Sequence, residues 1–307
     1  MDHHAPVSVT DAPAPDGAMR RMTLVAVLVA AALVTGKLVA WLMTGSVAIL
    51  GSAIDSAIDV MASLVNLLAV RQALQPADAE HRFGHGKAEA LAALFQAVLI
   101  TASAVFLAHE AIGKVQSAVP LDNGAVAIGV MLVSIVVTGL LVMAQRRVAR
   151  ASGSLAIKAD SVHYSADVAQ NLGVIAAIAL SAFGGLAWAD PVIGLGIAAL
   201  LLWGAWGVMS NAYDELMDRE WPEDERERIR AIVCAHPGVH SFHELRTRRS
   251  GVHAFIQFHI ELDGEMTLSA AHKIAADVEA ELAREFPRTE ILIHQDPVGL
   301  KERVRRF

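Results

Sequence analysis

Six stretches of this sequence, 22–43, 47–70, 88–112, 125–144, 155–181 and 192–209, are apolar over long, nearly unbroken runs. A helix of about 20 apolar residues spans the hydrocarbon core of a bilayer. Lipid offers the backbone no hydrogen-bond partners, so each run must satisfy its own peptide groups as a helix. Arg20 and Arg21 precede the first run, whose length and lack of a small-residue cleavage site mark a retained span rather than a signal peptide. The connections alternate in basic charge. Arg71, Arg82 and Lys87 fill the second, and Arg146, Arg147, Arg150 and Lys158 fill or border the fourth. The first and fifth have none, and the third has only Lys114. By the positive-inside rule, this predicts six spans with both termini in the cytoplasm.

The chain is 54% hydrophobic, and that excess collects before about residue 210. Residues 1–19, rich in Ala, Pro and Asp, read as a disordered tail in which His3 and His4 bind nothing specific. Residues 20–212 form the transmembrane domain and 213–307 a small soluble one. Pro222 with Glu223, Asp224 and Glu225 starts a helix there. Strands follow at 243–249 and 253–262, then a helix at 268–286 and a strand at 290–294. The order is αββαβ, a ferredoxin-like or metallochaperone-like α+β fold. The single cysteine, Cys234, excludes an internal disulfide and a thiolate cluster, whereas histidine occurs 13 times. A net charge of −7 and the lack of a basic face argue against nucleic acid as a partner.

Charges inside the spans carry the functional signal. Asp55 and Asp59 lie in the second span, and His163 and Asp167 in the fifth. Each pair is spaced i, i+4 and therefore shares a helix face. An ionisable residue at a helix centre costs about 2.5–3.5 kcal/mol on insertion scales, so it must meet a partner, water or an ion. Ser52, Ser56, Ser63 and Asn66 extend the first stripe, and Asp160, Gln170 and Asn171 extend the second. Spans four and six carry no charge, so the two stripes are expected to face each other. Three carboxylates and one imidazole then form a tetrahedral N/O set suited to Zn²⁺. A lone buried aspartate would more simply be a helix-tying hydrogen bond; two pairs on two helices argue against that reading. Lys37 is expected to snorkel to the interface, and His109 and Glu110 to be solvated at a span end.

These pairs, the segment HRFGHGKAE at 81–89 and IHQDP at 293–297 resemble the cation diffusion facilitator family, most nearly its bacterial zinc and ferrous-iron efflux branch. The likeness runs from Arg20 to Pro297. It implies that Asp55, Asp59, His163 and Asp167 form the transport site of a homodimeric, proton-coupled antiporter in the cytoplasmic (inner) membrane, working by alternating access. Asp78, His81 and His85 in the second connection could bind a metal or be a solvated loop; the resemblance favours an auxiliary metal site. It also implies that Lys87 pairs with Asp218 to hold the dimer. Spacing alone does not show whether His243, His259, His272, His294 and Asp296 converge. The resemblance places a two-metal site on them, near the dimer interface, with Asp296 able to bridge. His236, His240 and His253 match no ligand of the family and read as surface residues.

Proton coupling has a direct physical origin. Metal needs a neutral imidazole and ionised carboxylates, so binding releases protons and protonation releases metal. His163, of a residue type with an unperturbed pKa of about 6.5, is the expected proton carrier. Zn²⁺ is the expected cargo and also the structural ion of the soluble domain, with Fe²⁺, Cd²⁺ or Co²⁺ as alternatives on the same ligands. The chain has no HExxH or comparable motif, so it does not read as a metalloenzyme. A membrane-anchored metal sensor would gain nothing from intramembrane carboxylates. A passive metal channel is the rival that sequence separates least from an antiporter.

Overall fold

The computed structural model describes residues 15–45, 47–116, 125–184 and 188–299. The chain divides after Leu216 into two compact units. The first holds six helices: α1 (Pro15–Thr44), α2 (Val47–Ala73), α3 (Lys87–Gln116), α4 (Ala125–Ser152), α5 (Leu155–Gly184) and α6 (Ala189–Leu216). All except α5 are long and apolar enough to cross a membrane. At 30 residues α5 is as long as α1 and α3. Its N-terminal half carries Lys158, Asp160, His163 and Asp167.

Helix α1 starts at Pro15, so residues 15–19, expected in the tail, are helical instead. Proline suits a first turn and Asp16 suits its positive end, while Met19 is fully buried. His3 and His4 lie outside the described residues. Where helices meet, the side chains are small. Ala93 and Ala97 of α3, Ala159 of α5 and Ala212 of α6 share one buried cluster. Small residues let helix backbones approach in lipid, where no hydrophobic force drives association. A Cβ at Gly173 of α5 would come within 2.2 Å of Ile197 Cδ1 on α6. Large apolar residues such as Leu28, Phe106, Met143, Trp203 and Trp206 point outward. That inversion of a soluble surface fits a lipid environment.

The second unit is α7 (Glu223–Ala235), β1 (Ser241–Ser250), β2 (His253–Leu262), α8 (Leu268–Glu285) and β3 (Thr289–Pro297), in the predicted αββαβ order. The sheet order is β1-β2-β3, with β1 antiparallel and β3 parallel to the central β2. The hairpin turns at Gly251, whose φ of 60° suits glycine, and α8 forms the crossover that a parallel pair requires. Strand alternation sends Ile256, Phe258, Ile260 and Leu262 of β2 into one core with Ile229 and Val233 of α7 and Val278 and Leu282 of α8. The helices thus occupy one face of the sheet, leaving the other for β2's odd-numbered positions.

Candidate metal centres

In the helical unit, i, i+4 spacing and the packing of α2 on α5 bring three ionisable groups together. Asp59, His163 and Asp167 each offer a ligand atom within 4.8 Å of the other two. His163 Nε2 lies 3.0 Å from Asp59 Oδ1, and their side chains are 7% and 17% exposed. One turn along, Ser63 Oγ and Tyr164 Oη are 2.7 Å apart, a second polar tie between the same helices. The two stripes therefore face each other. Asp55, on the same side of α2, is exposed and outside this group of three.

Lys37 behaves differently from the snorkelling expected of it. Its ammonium donates to Ser56 Oγ at 2.6 Å and to the Ser52 carbonyl at 3.3 Å. The polar stripe of α2 provides acceptors within reach of α1, so the charge finds partners without stretching to the interface.

The loop between α2 and α3 forms a second cluster from Asp78, His81 and His85. Backbone N–H groups of His81 and Glu80 donate to Asp78 Oδ1 at 2.6 and 2.9 Å. The His81 bond, helped by that of Glu80, holds the Asp78 carboxyl below the usual carboxylate range. It is therefore ionised at neutral pH and available as a ligand. His85 Nε2 lies 3.3 Å from Asp78 Oδ2, with the ring almost buried, and its Nδ1 has no protein partner.

The third cluster is a product of strand register. His243 on β1 pairs with His259 on β2, which pairs with His294 on β3. Three imidazoles thus form a row across the sheet. Two residues beyond His294, on the same face, Asp296 is 6% exposed and receives them all. Its Oδ2 is 2.8 Å from His259 Nδ1 and 3.6 Å from His243 Nε2, while Oδ1 is 3.1 Å from His294 Nε2. One carboxylate therefore presents its two oxygens to different imidazoles. Among the described residues, His243, His259 and Asp296 each offer a ligand atom within 4.8 Å of the other two, and His272 sits exposed on α8 outside that group. The donor set of imidazole nitrogen and carboxylate oxygen fits a zinc-like dication.

Lys87 Nζ donates to the Leu216 carbonyl at 3.3 Å, and Asp218 lies 3.6 Å from Arg248. Glu89, the last residue of HRFGHGKAE, has a structural role that its place in that segment does not show. Fully buried, it accepts from Ser154 Oγ and, at 3.4 Å, from Ala156 N–H at the start of α5. Ser154 itself accepts from Ile157 N–H at 3.2 Å. A serine immediately ahead of the apolar run at 155–181 is the signal in the sequence for this helix start.

Helices long and apolar enough to cross a membrane, with a set of N/O groups between two of them that could hold a metal ion, define the class of a membrane protein with candidate cation ligands. Residues 23–217 match the cation efflux transmembrane domain and residues 221–298 the cytoplasmic domain of cation efflux proteins. The cation-efflux pump FieF of Salmonella paratyphi A is 43% identical over 288 residues, 93% of this chain and 95% of the relative. FieF of Cronobacter sakazakii is 45% identical over 286 residues, with the same shares. Among solved structures, the metal-bound C-terminal domain of the CzcD transporter from Thermotoga maritima is 34% identical. It covers 26% of this chain and 93% of that one, with a TM-score of 0.25. The chain belongs to the cation diffusion facilitator family and is a divalent-cation efflux transporter, not an enzyme.

Proposed function

We propose that this chain exports Zn²⁺ from the cytoplasm across a bacterial inner membrane in exchange for protons. It works as a homodimer by alternating access, with both termini cytoplasmic. The observation that carries the reading is the meeting of Asp59, His163 and Asp167 between α2 and α5. One imidazole with carboxylates is a borderline donor set that suits Zn²⁺ better than an all-oxygen set would. Asp55, one turn from Asp59, supplies the fourth ligand on reorienting its side chain. Fe²⁺, Cd²⁺ and Co²⁺ are the alternative cargoes. Coupling follows from competition: a dication and a proton cannot share the His163 nitrogen.

The unit ending at Leu216 carries transport, and the unit after it binds metal and dimerises. There His243, His259, His294 and Asp296 hold structural Zn²⁺ ions, with Asp296 between them and His272 recruited from α8. The loop residues Asp78, His81 and His85 form an auxiliary site. Lys87 and Asp218 meet across the dimer. The regular charge alternation of the loops supports the orientation. The test is metal flux into proteoliposomes, ion by ion, across an imposed pH gradient. Zinc flux that moves protons the other way supports the reading. Flux indifferent to the gradient points to a channel, and no flux of any divalent ion overturns the transport site.

A further inference from the structure

Lys37 of α1 carries a charge for which the transport reaction as described has no use. It is half-buried and lies seven residues before the end of α1 at Thr44, about 10 Å along the helix axis. An ammonium within an apolar run is costly unless something nearby needs it. Two neutral oxygens tie it to α2, Ser56 Oγ at 2.6 Å and the Ser52 carbonyl at 3.3 Å. Those acceptors are interleaved with proposed ligands. Ser52, Asp55, Ser56 and Asp59 fall at i, i+3, i+4 and i+7, so all four share one face of α2. Ser56 and Asp59 are about 4.5 Å apart along the axis. The charges of Asp59, Asp167 and Asp55 all act on Lys37, and Lys37 acts in turn on Asp55 and Asp167. Among the described residues, none of these carboxylates is nevertheless within ion-pair distance of it.

A tie between helices needs only a hydrogen-bond donor, which an uncharged amide would supply. The ammonium adds a fixed positive charge that stays beside the ligands without occupying any of their oxygens. Metal binding requires a neutral His163 and ionised carboxylates. In that state Asp55, Asp59 and Asp167 carry three negative charges, Lys37 returns one, and a dication balances the two that remain. Asp160 is held separately, by the Gln96 and Gln145 amides, and is not among the carboxylates that act on Lys37. We propose that Lys37 is a tethered counter-charge of the transport site, matching it to one divalent ion and keeping that ion loosely enough held to leave. Without the lysine, the occupied site keeps an uncompensated negative charge where charge is poorly screened, and three carboxylates hold the dication unopposed. A conduction path needs a site favourable enough to fill and weak enough to leave. A like charge fixed beside the ligands shifts that balance towards release.

The inference rests on the transport reading, and one experiment separates the two. Full-length wild type, Lys37→Arg, Lys37→Gln and Lys37→Met are reconstituted in vesicles holding a zinc-sensitive dye. Initial zinc flux against zinc concentration is measured at about pH 8, where few protons compete for the ligands. Arginine keeps the charge, glutamine keeps hydrogen-bond donors without charge, and methionine keeps length without either. A counter-charge predicts that KM and saturating flux both fall, about fivefold each, in the two uncharged variants, with Lys37→Arg within about twofold of wild type. A KM or a saturating flux that does not fall in Lys37→Gln overturns it. So does a change in Lys37→Arg equal to that in Lys37→Met, or failure of both uncharged variants to purify as folded protein, since each marks a side chain that only ties α1 to α2. Absence of zinc flux in the wild type would instead count against the transport reading itself.

Discussion

The triad between α2 and α5 and the histidine row across the sheet use the same chemistry but assemble it differently. In the helical unit, two turns of helix do most of the work. Asp59 and its partners come from i, i+4 positions, and one helix contact closes the set. In the sheet, His243, His259 and His294 lie far apart in the chain and meet only because their strands pair in one register. A slip of one residue would turn the row to the helix-covered face. The helical site also lies where an unpaired charge is costly, whereas the row lies on the uncovered face of a sheet. The first arrangement suits a cargo that comes and goes, and the second a resident ion that stabilises the fold it bridges.

That contrast is most open to attack at Asp59 and Asp167. Asp59→Ala or Asp167→Ala is expected to lower zinc flux at least about 100-fold, with the purified dimer still eluting as folded protein. Flux within a few-fold of wild type would show that the triad is not the transport site. Asp55→Ala should cost less, about tenfold or more, because Asp55 stands outside the group and must turn inward to complete it. A loss as complete as that of Asp59→Ala would mean that Asp55 is a full ligand throughout the cycle.

His163→Asp sharpens the difference between cargo and resident ion. Four carboxylates are a harder set, so acceptance of Cd²⁺ and Mn²⁺ should rise relative to Zn²⁺. The wild type should lose metal affinity as falling pH protonates the imidazole. Replacing it should change that pH dependence, because the group that competes with the metal for protons is then no longer an imidazole. Flux against pH for the two proteins decides this; coincident profiles would remove His163 as proton carrier.

The sheet row predicts a smaller, different effect. Zinc at about 100 times its dissociation constant stabilises a folded unit by about 2.7 kcal/mol, so the fragment from Met217 on should melt higher with zinc. His259→Ala or Asp296→Ala should remove most of that rise, while transport by the full chain at high zinc persists. His272→Ala should remove a smaller part of that rise, and no change at all would break its recruitment as a ligand. The smallest expected change is at the loop. His85→Ala should alter saturating flux by less than about threefold.

The order of elements was legible in the sequence because bilayer thickness and strand period are strong, local constraints. Six apolar runs and the αββαβ pattern are visible without any tertiary contact. Asp59, His163 and Asp167 could be singled out on the same basis, since charge within an apolar run is anomalous wherever it occurs. Lys37 and Asp160 could not be interpreted that way. Whether a half-buried lysine turns to an interface or a neighbouring helix depends on acceptors in another span, here Ser52 and Ser56. In the sequence Asp160 reads as one more member of a stripe; only the fold sets Gln96 and Gln145 against its carboxyl.

Periodicity, span length and charge alternation belong to the chain itself, because they arise from residues within a few turns of each other. Register and side-chain convergence do not, because they join positions separated by tens of residues. Asp296 gathers His243, His259 and His294 through two strand pairings, and His163 meets Asp59 through one helix packing. Those pairings are fixed by how the apolar faces bury, and only the folded molecule brings their polar consequences into one place.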